Sequence, residues 1–258
     1  MHLLRPTKIA LAAIACLFLG GAVHSGSSAL VGKQCEGIRV RQNILDLTAQ
    51  QRDALFRALR TLQSEPRPNS YDWFVKLHKE HQFKAHGNAH FLPWHRTFTR
   101  AFEQQLQRID PSVTLPYWDW SVTSQAPEKH PVFSPHWFGG NGRPGDHCVT
   151  DGQFADWKPY YSAHNCLRRQ FSEGSGIGAL VSVEALRYLI DTSDDFATFN
   201  SVIEAPTHNL VHMGIGGEMV TVASPNDPIF FVHHTFIDMQ WAIWQSRSER
   251  HARDYGGY

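Results

Sequence analysis

The tightest constraint on this chain lies in the C-terminal part of its 258 residues. His208-Asn209-Leu210-Val211-His212 is followed by Gly216-Gly217-Glu218-Met219. Then comes Asn226-Asp227-Pro228-Ile229-Phe230-Phe231-Val232-His233-His234, with Asp238 and Trp241 beyond. Histidines at i and i+4 of a helix share one face, about one turn from each other. An imidazole on the next helix can reach the same point, so the segment is expected to fold as two helices facing one locus. Three neutral nitrogens about one point suit a transition metal. No carboxylate separates His208 from His212, so the His-Glu-x-x-His helix of zinc hydrolases does not apply.

A second histidine-rich region lies upstream, with His78, His81, His86, His90 and His95. Residues 45–62 read as a helix, capped by Asp46 or Thr48 and carrying Leu55, Phe56, Leu59 and Leu62 at helical spacing. Two prolines break the pattern at 64–70. A second helix over 71–83 aligns Tyr71, Phe74, Val75 and His78 on one stripe. A third starts near Pro93-Trp94, a favourable place for proline, and runs through Phe98, Phe102 and Leu106 to Asp110-Pro111. Leu115-Pro116-Tyr117-Trp118-Asp119-Trp120 reads as a buried connector, and 121–180 as loop. Further helices are expected over 181–190, around His208 and His212, and from Pro228 to about Ser246. The fold class is therefore mainly α: a four-helix bundle with long loops and few short strands.

Charge is balanced, 24 Lys and Arg against 24 Asp and Glu, which gives no reason to expect a nucleic-acid or acidic-membrane partner. Arg5 and Lys8 precede an apolar run over 9–19 followed by small residues, the pattern of a cleaved secretory signal over 1–25. The run is short for a span of about 20 residues, so no membrane association is expected after cleavage. The mature chain, 26–258, is then one domain in an extracellular, oxidising setting. There Cys148 and Cys166 are the expected disulfide, with Cys35 left over and Cys16 lost with the signal.

The two histidine regions carry a resemblance. Phe91-Leu92-Pro93-Trp94-His95-Arg96 resembles the first copper signature of the tyrosinase and catechol oxidase family, the coupled binuclear copper proteins that include haemocyanins. Asp227-Pro228-Ile229-Phe230-Phe231-Val232-His233-His234, with Asp238 and Trp241, resembles the second. The likeness spans roughly 35–247. It implies two copper ions as cofactors with dioxygen as co-substrate. It implies His78, His86 and His95 as ligands of one copper, with His81 the competitor of His78, and His208, His212 and His234 as ligands of the other, with His233 a neighbour. Six imidazoles with no carboxylate or thiolate favour copper on chemical grounds as well. Ligands on facing helices of a bundle are an established way to build a binuclear site.

The resemblance further implies an enzyme, a tyrosinase or catechol oxidase (polyphenol oxidase), that oxidises catechols and hydroxylates monophenols to ortho-quinones. A phenol has a pKa near 10 and needs a base at neutral pH. Glu204 and Asn209 match the family positions tied to that proton. Met213, Val222 and Ser224, with His233, are expected around the substrate. With small residues over the copper pocket and an apolar Met213, neutral or amine-bearing phenols are favoured. Residues 79–85 hold no cysteine, so no thioether to a histidine is expected. The family's C-terminal lid domain is missing, which leaves an open site or a separate partner. A copper-delivery protein is one such partner. The alternative readings are a haemocyanin-like oxygen-binding protein and a catechol oxidase without monophenol activity. Asp238 is expected either to support the site, by orienting a ligand or by pairing with Arg96 behind one, or to make a structural ion pair.

Overall fold

A computed structural model describes residues 38–257, so the leader, Cys16 and Cys35 lie outside the described residues. The first helix, α1, is Ala49–Ser64; of the two candidate caps it uses Thr48, whose hydroxyl and the Gln51 side chain form a reciprocal capping box. α2 is Ser70–Ala85, started by an equivalent exchange between Asn69 and Asp72. α3 is Phe91–Ile109 and begins two residues before Pro93, so that proline falls within the first turn, where its missing N–H costs nothing.

Further along come α4 (Val183–Thr192, capped by Ser182), α5 (Phe196–Val202, capped by Asp195) and α6 (Asn209–Ile215). A wide helical turn, Ile203–His208, joins α5 to α6 and is broken at Ala205. α7 is Ile229–Gln245, and a short α8, Glu249–Arg253, follows. The sequence pattern gave no sign of α8, which has no buried residue to impose a period. Among the described residues strand pairing is limited to three isolated bridges, Asn43 with Tyr117, Cys148 with Arg168 and Glu173 with Gly176.

α3 and α7 pack against each other through aromatic rings. Phe102 and Phe231 stack with ring centroids 3.5 Å apart, and Tyr71 of α2 sets its edge against both at 5.5 and 6.0 Å. The aromatic connector is buried against α7: the Trp118 N–H donates to the Val232 carbonyl at 2.9 Å, and the Thr235 hydroxyl to the Pro116 carbonyl at 2.7 Å. Asp238 on α7 pairs with Arg96 and, at 3.1 Å, with Arg41. The expected pairing of Asp238 with Arg96 is formed, and Arg41 joins it.

The long loop is held by one buried ion pair and one disulfide. Cys148 and Cys166 are bonded. Arg169, fully buried, grips Asp227 with two hydrogen bonds of 2.7 and 2.9 Å and donates to the carbonyls of Phe138 and Gly139. Asp227 Oδ1 also accepts from the Ile229 N–H at 3.1 Å, so the same carboxylate starts α7. Removing one partner of such a pair strands the other charge. Arg169→Met is therefore expected to lower the unfolding free energy by about 3–5 kcal/mol, and Arg169→Met with Asp227→Leu to recover part of that loss. Urea denaturation of the two variants beside the parent measures both.

Candidate metal centre

Helices α2 and α3 supply one group of imidazoles, α6 and α7 the other. The ring nitrogens of His78, His86 and His95 lie within 4.8 Å of one another, as do those of His208, His212, His233 and His234; no Asp, Glu or Cys belongs to either group. The groups meet where His95 stacks on His234, ring centroids 4.3 Å apart. His78 sits mid-helix on the stripe that buries Tyr71, Phe74 and Val75. His86 is the residue at which α2 ends. His208 and His212 are one turn apart, and His234 lies on the second turn of α7.

Five of these imidazoles are oriented the same way. Each donates its Nδ1 hydrogen to an oxygen: His78 to the Val222 carbonyl (2.9 Å), His86 to Gln82 (3.0 Å), His95 to Phe91 (2.8 Å), His212 to Met219 (2.7 Å), and His208 to the Asn209 side-chain oxygen (3.0 Å). An oxygen acceptor puts the hydrogen on Nδ1 and leaves Nε2 with a bare lone pair. The Nε2 atoms of His78, His95 and His212 are buried with no partner. An orphaned buried acceptor is costly, and a metal ion is its natural complement. The Nε2 atoms of His208 and His234 are 3.3 Å apart. Two nitrogens held about 2.0 Å from one ion across a near-tetrahedral angle have about that spacing. An all-imidazole donor set suits copper and not magnesium or calcium.

His233 is oriented the opposite way. The Trp120 indole N–H donates to its Nδ1 at 3.2 Å. An indole can only donate, so Nδ1 holds the lone pair and Nε2 the hydrogen. His233 is fully buried and does not line the cavity described next, which corrects its expected place among the substrate-pocket residues. The signal for this lay in Trp120, over a hundred residues away, and the pair is brought together only by the connector. His81 and His90 also stay outside both groups: His81 bonds the Leu77 carbonyl on its own helix, and His90 meets the Tyr255 hydroxyl.

Burial drives the ligand imidazoles towards the neutral form. It holds His78 down at about 3 and His212 at about 4, and lowers His86, with hydrogen bonds to carbonyls opposing in each case. His95, His208, His233 and His234 lie well below the usual imidazole range for the same reason, reinforced by the neighbouring imidazoles. Neutral imidazole is the form that binds metal.

A cavity of about 330 Å³ opens onto both groups, lined by His78, His86, His208 and His212 and by residues that include Met213, Val222 and Ser224. Among the described residues no Asp, Glu, Lys or Arg lines it, and Met213 and Val220 stand half-exposed at its wall. The 3₁₀ turn Gly217–Val220 and the residues after it fold over the centre because Gly216 and Gly217 take φ of 66° and 57° and pass close to the 168–170 backbone, which a side chain would obstruct. Asn209 lines this cavity and also a second one of about 340 Å³ beside it. Glu204 lines the second cavity only; it is buried, and its Oε1 accepts from the Gly87 N–H at 2.6 Å. Burial pushes its carboxyl up to about 7, against the opposing effect of that hydrogen bond.

Comparison with known proteins places this architecture. Residues 68–247 match the family model described as the common central domain of tyrosinase. The chain is 36% identical over 234 residues to a tyrosinase of Streptomyces antibioticus, covering 81% of this chain and 83% of the relative. It is 33% identical to grixazone synthase of Streptomyces griseus, covering 81% and 85%. Among solved structures it resembles a polyphenol oxidase from Thermothelomyces thermophila, TM-score 0.63 with 27% identity, over 80% of this chain and 70% of that one. It shares the fold of a functional unit of octopus haemocyanin, TM-score 0.58 with 22% identity, over 80% and 53%.

The depressed imidazoles set the pH response of the metal-free protein. Histidines that are neutral when folded and take up protons when unfolded contribute stability that is complete above pH 6.5 and lost as pH falls towards 3–4. Chelator-treated protein is expected to melt at least roughly 5 °C lower at pH 5.5 than at pH 7, and copper to reverse the loss. Melting curves across pH, with and without copper, measure this.

Proposed function

Because the chain belongs to the tyrosinase family of copper oxidases, we propose that it oxidises catechols and hydroxylates neutral monophenols to ortho-quinones. The family works with a binuclear copper centre and dioxygen as co-substrate, and the two histidine groups fit that centre. Copper, when bound, supplies the two-electron redox chemistry with dioxygen. The observation that carries the reading is the pair of histidine groups opening onto one cavity large enough for a phenol, with the Nδ1 atoms of His78, His86, His95, His208 and His212 tied to oxygens.

In this reading His78, His86 and His95 hold one copper, and His208, His212 and His234 the other. His233 holds none, because its Nε2 carries the hydrogen that Trp120 obliges it to keep. Glu204 takes the phenolic proton, through water held with Asn209. The Asn209 side-chain oxygen is already engaged by His208, so its amide hydrogens are free to hold that water. Met213, Val222 and Ser224 border the substrate. Without a cationic side chain in the cavity wall, a substrate carboxylate has no partner, which favours tyramine-like phenols over amino acids. A half-exposed wall at Met213 and Val220 favours an enzyme that admits phenols over a closed oxygen carrier. Residues 26–258 act as one catalytic domain, exported after loss of 1–25. Support for export comes from the leader composition and from the Cys148–Cys166 bond; no helix among the described residues is long and apolar enough to cross a membrane.

Oxygen uptake by copper-loaded protein with a catechol, tyramine and L-tyrosine side by side tests the reading. Uptake is expected with all three, fastest with the catechol and several-fold faster with tyramine than with L-tyrosine. No uptake with the catechol would leave only an oxygen-binding role. Glu204→Gln is expected to lower the ratio of monophenol to catechol turnover by about 100-fold or more, the range of a general base. Monophenol turnover in the parent should rise with pH through about 7, as the Glu204 carboxyl ionises, and the variant should lack that limb. Copper analysis separates the paired histidines: His234→Ala is expected to hold about one copper per chain, and His233→Ala to keep about two.

A further inference from the structure

We propose that Glu218 is a positioning residue for the metal centre: its side chain anchors the stretch 217–222, whose backbone carbonyls aim one imidazole of each histidine group. This rests on the reading of His78 and His212 as ligands of the two coppers.

Among the described residues this stretch alone serves both groups. The His78 Nδ1 hydrogen goes to the Val222 carbonyl at 2.9 Å and that of His212 to the Met219 carbonyl at 2.7 Å. His86 and His95 bond instead to Gln82 and Phe91, four residues back along their own chain segments, and owe nothing to it. Those two acceptors are held by the helices α2 and α3 that carry them. The Met219 carbonyl sits on a single 3₁₀ turn and that of Val222 lies beyond it, where Val220, Thr221 and Val222 are exposed. The Met219 side chain is buried, but apolar burial fixes no direction. A short solvent-facing segment opens easily unless something directional holds it.

Glu218 supplies that hold. It is 4% exposed, belongs to neither histidine group and does not line the histidine cavity. Its Oε1 accepts from the Ser162 hydroxyl at 2.8 Å and its Oε2 from the Asn226 amide at 3.0 Å. Both donors are placed independently of the metal. Ser162 lies in the loop closed by Cys148 and Cys166, and the buried Asn226 accepts from the Trp157 indole N–H at 2.8 Å through its carbonyl. The main chain of Glu218 is tied too. Its N–H donates to the Arg168 carbonyl at 3.0 Å, and its carbonyl accepts from the Thr221 N–H at 3.0 Å and hydroxyl at 2.9 Å. The Thr221 hydroxyl accepts in turn from the Ala223 N–H at 3.1 Å. Met219 therefore follows the anchored residue directly, and Val222 lies between two residues bound back to it. Moving Glu218 would strand two buried acceptors and their donors, which is why the anchor resists displacement.

The test compares Glu218→Ala, Ser162→Ala, which removes one donor and leaves the carboxylate, and Leu62→Ala, a core change on α1 that lowers stability away from the stretch. The full chain is loaded with cuprous ions under argon, a diamagnetic state, and nuclear magnetic resonance of nitrogen-15-labelled histidines follows solvent exchange of each Nδ1 hydrogen. Glu218→Ala is expected to speed exchange at His78 and His212 by about tenfold, and Ser162→Ala by about threefold, with His95 within about twofold of the parent in both. Copper release to excess chelator, well below melting, is expected to quicken for both ions in the same order, and Leu62→Ala to leave it within about twofold. Unchanged exchange at His78 and His212, an equal rise at His95, or unchanged copper release overturns the positioning role. Should Glu218→Ala not fold, Ser162→Ala decides by the same criteria. The ligand reading fails separately, if His78→Ala and His212→Ala each still hold two copper ions.

Discussion

The structure depends on hydrogen bonds from imidazole Nδ1 atoms to oxygens of the protein. A histidine near a metal is useful only if the nitrogen facing the ion carries a lone pair, and a neutral ring has one such nitrogen. Here Val222, Gln82, Phe91 and Met219 each commit a backbone carbonyl, and Asn209 a side-chain oxygen, to fixing that choice. His233 has the same neighbours and burial, yet its one contact with Trp120 gives it the reverse tautomer.

Burial makes the arrangement work and also makes it costly. With the imidazoles removed from water their charged forms are disfavoured, so the lone pairs are available at neutral pH. Unpartnered lone pairs in a protein interior are a liability, and metal binding is what resolves it. The aromatic stacking of Phe102 on Phe231 joins α3 to α7, and the Arg169–Asp227 pair ties the long loop to the start of α7.

Much of this could be read from the chain itself. The histidine spacings, the aromatic runs and the proline and glycine stops located α1 to α4, α6 and α7 to within a few residues, because each of those signals is local; α5 and α8 carry no such signal. The cavity wall at Met213, Val222 and Ser224 followed from position in the motifs. What stayed hidden was non-local. A backbone carbonyl has no sequence identity, so the Val222 and Met219 acceptors could not be inferred. Arg169 looks like any loop arginine until Asp227 is placed beside it. Trp120 and His233 are joined only by the tertiary path of the connector. The cavity beside Glu204 is framed by three stretches distant in sequence, around residues 87–89, 197–209 and 256–257, and none of them announces a void.

The short stretch from Met219 to Val222 has two separate connections to the centre. Its main chain holds His212 and His78, and its side chains form part of the cavity wall. Carbonyl positions survive most side-chain replacements, whereas the wall changes with each one. Side-chain replacement along this stretch can therefore reshape the cavity while leaving the orientation of His78 and His212 undisturbed. In a loop of this kind, the backbone and the side chains answer to different demands.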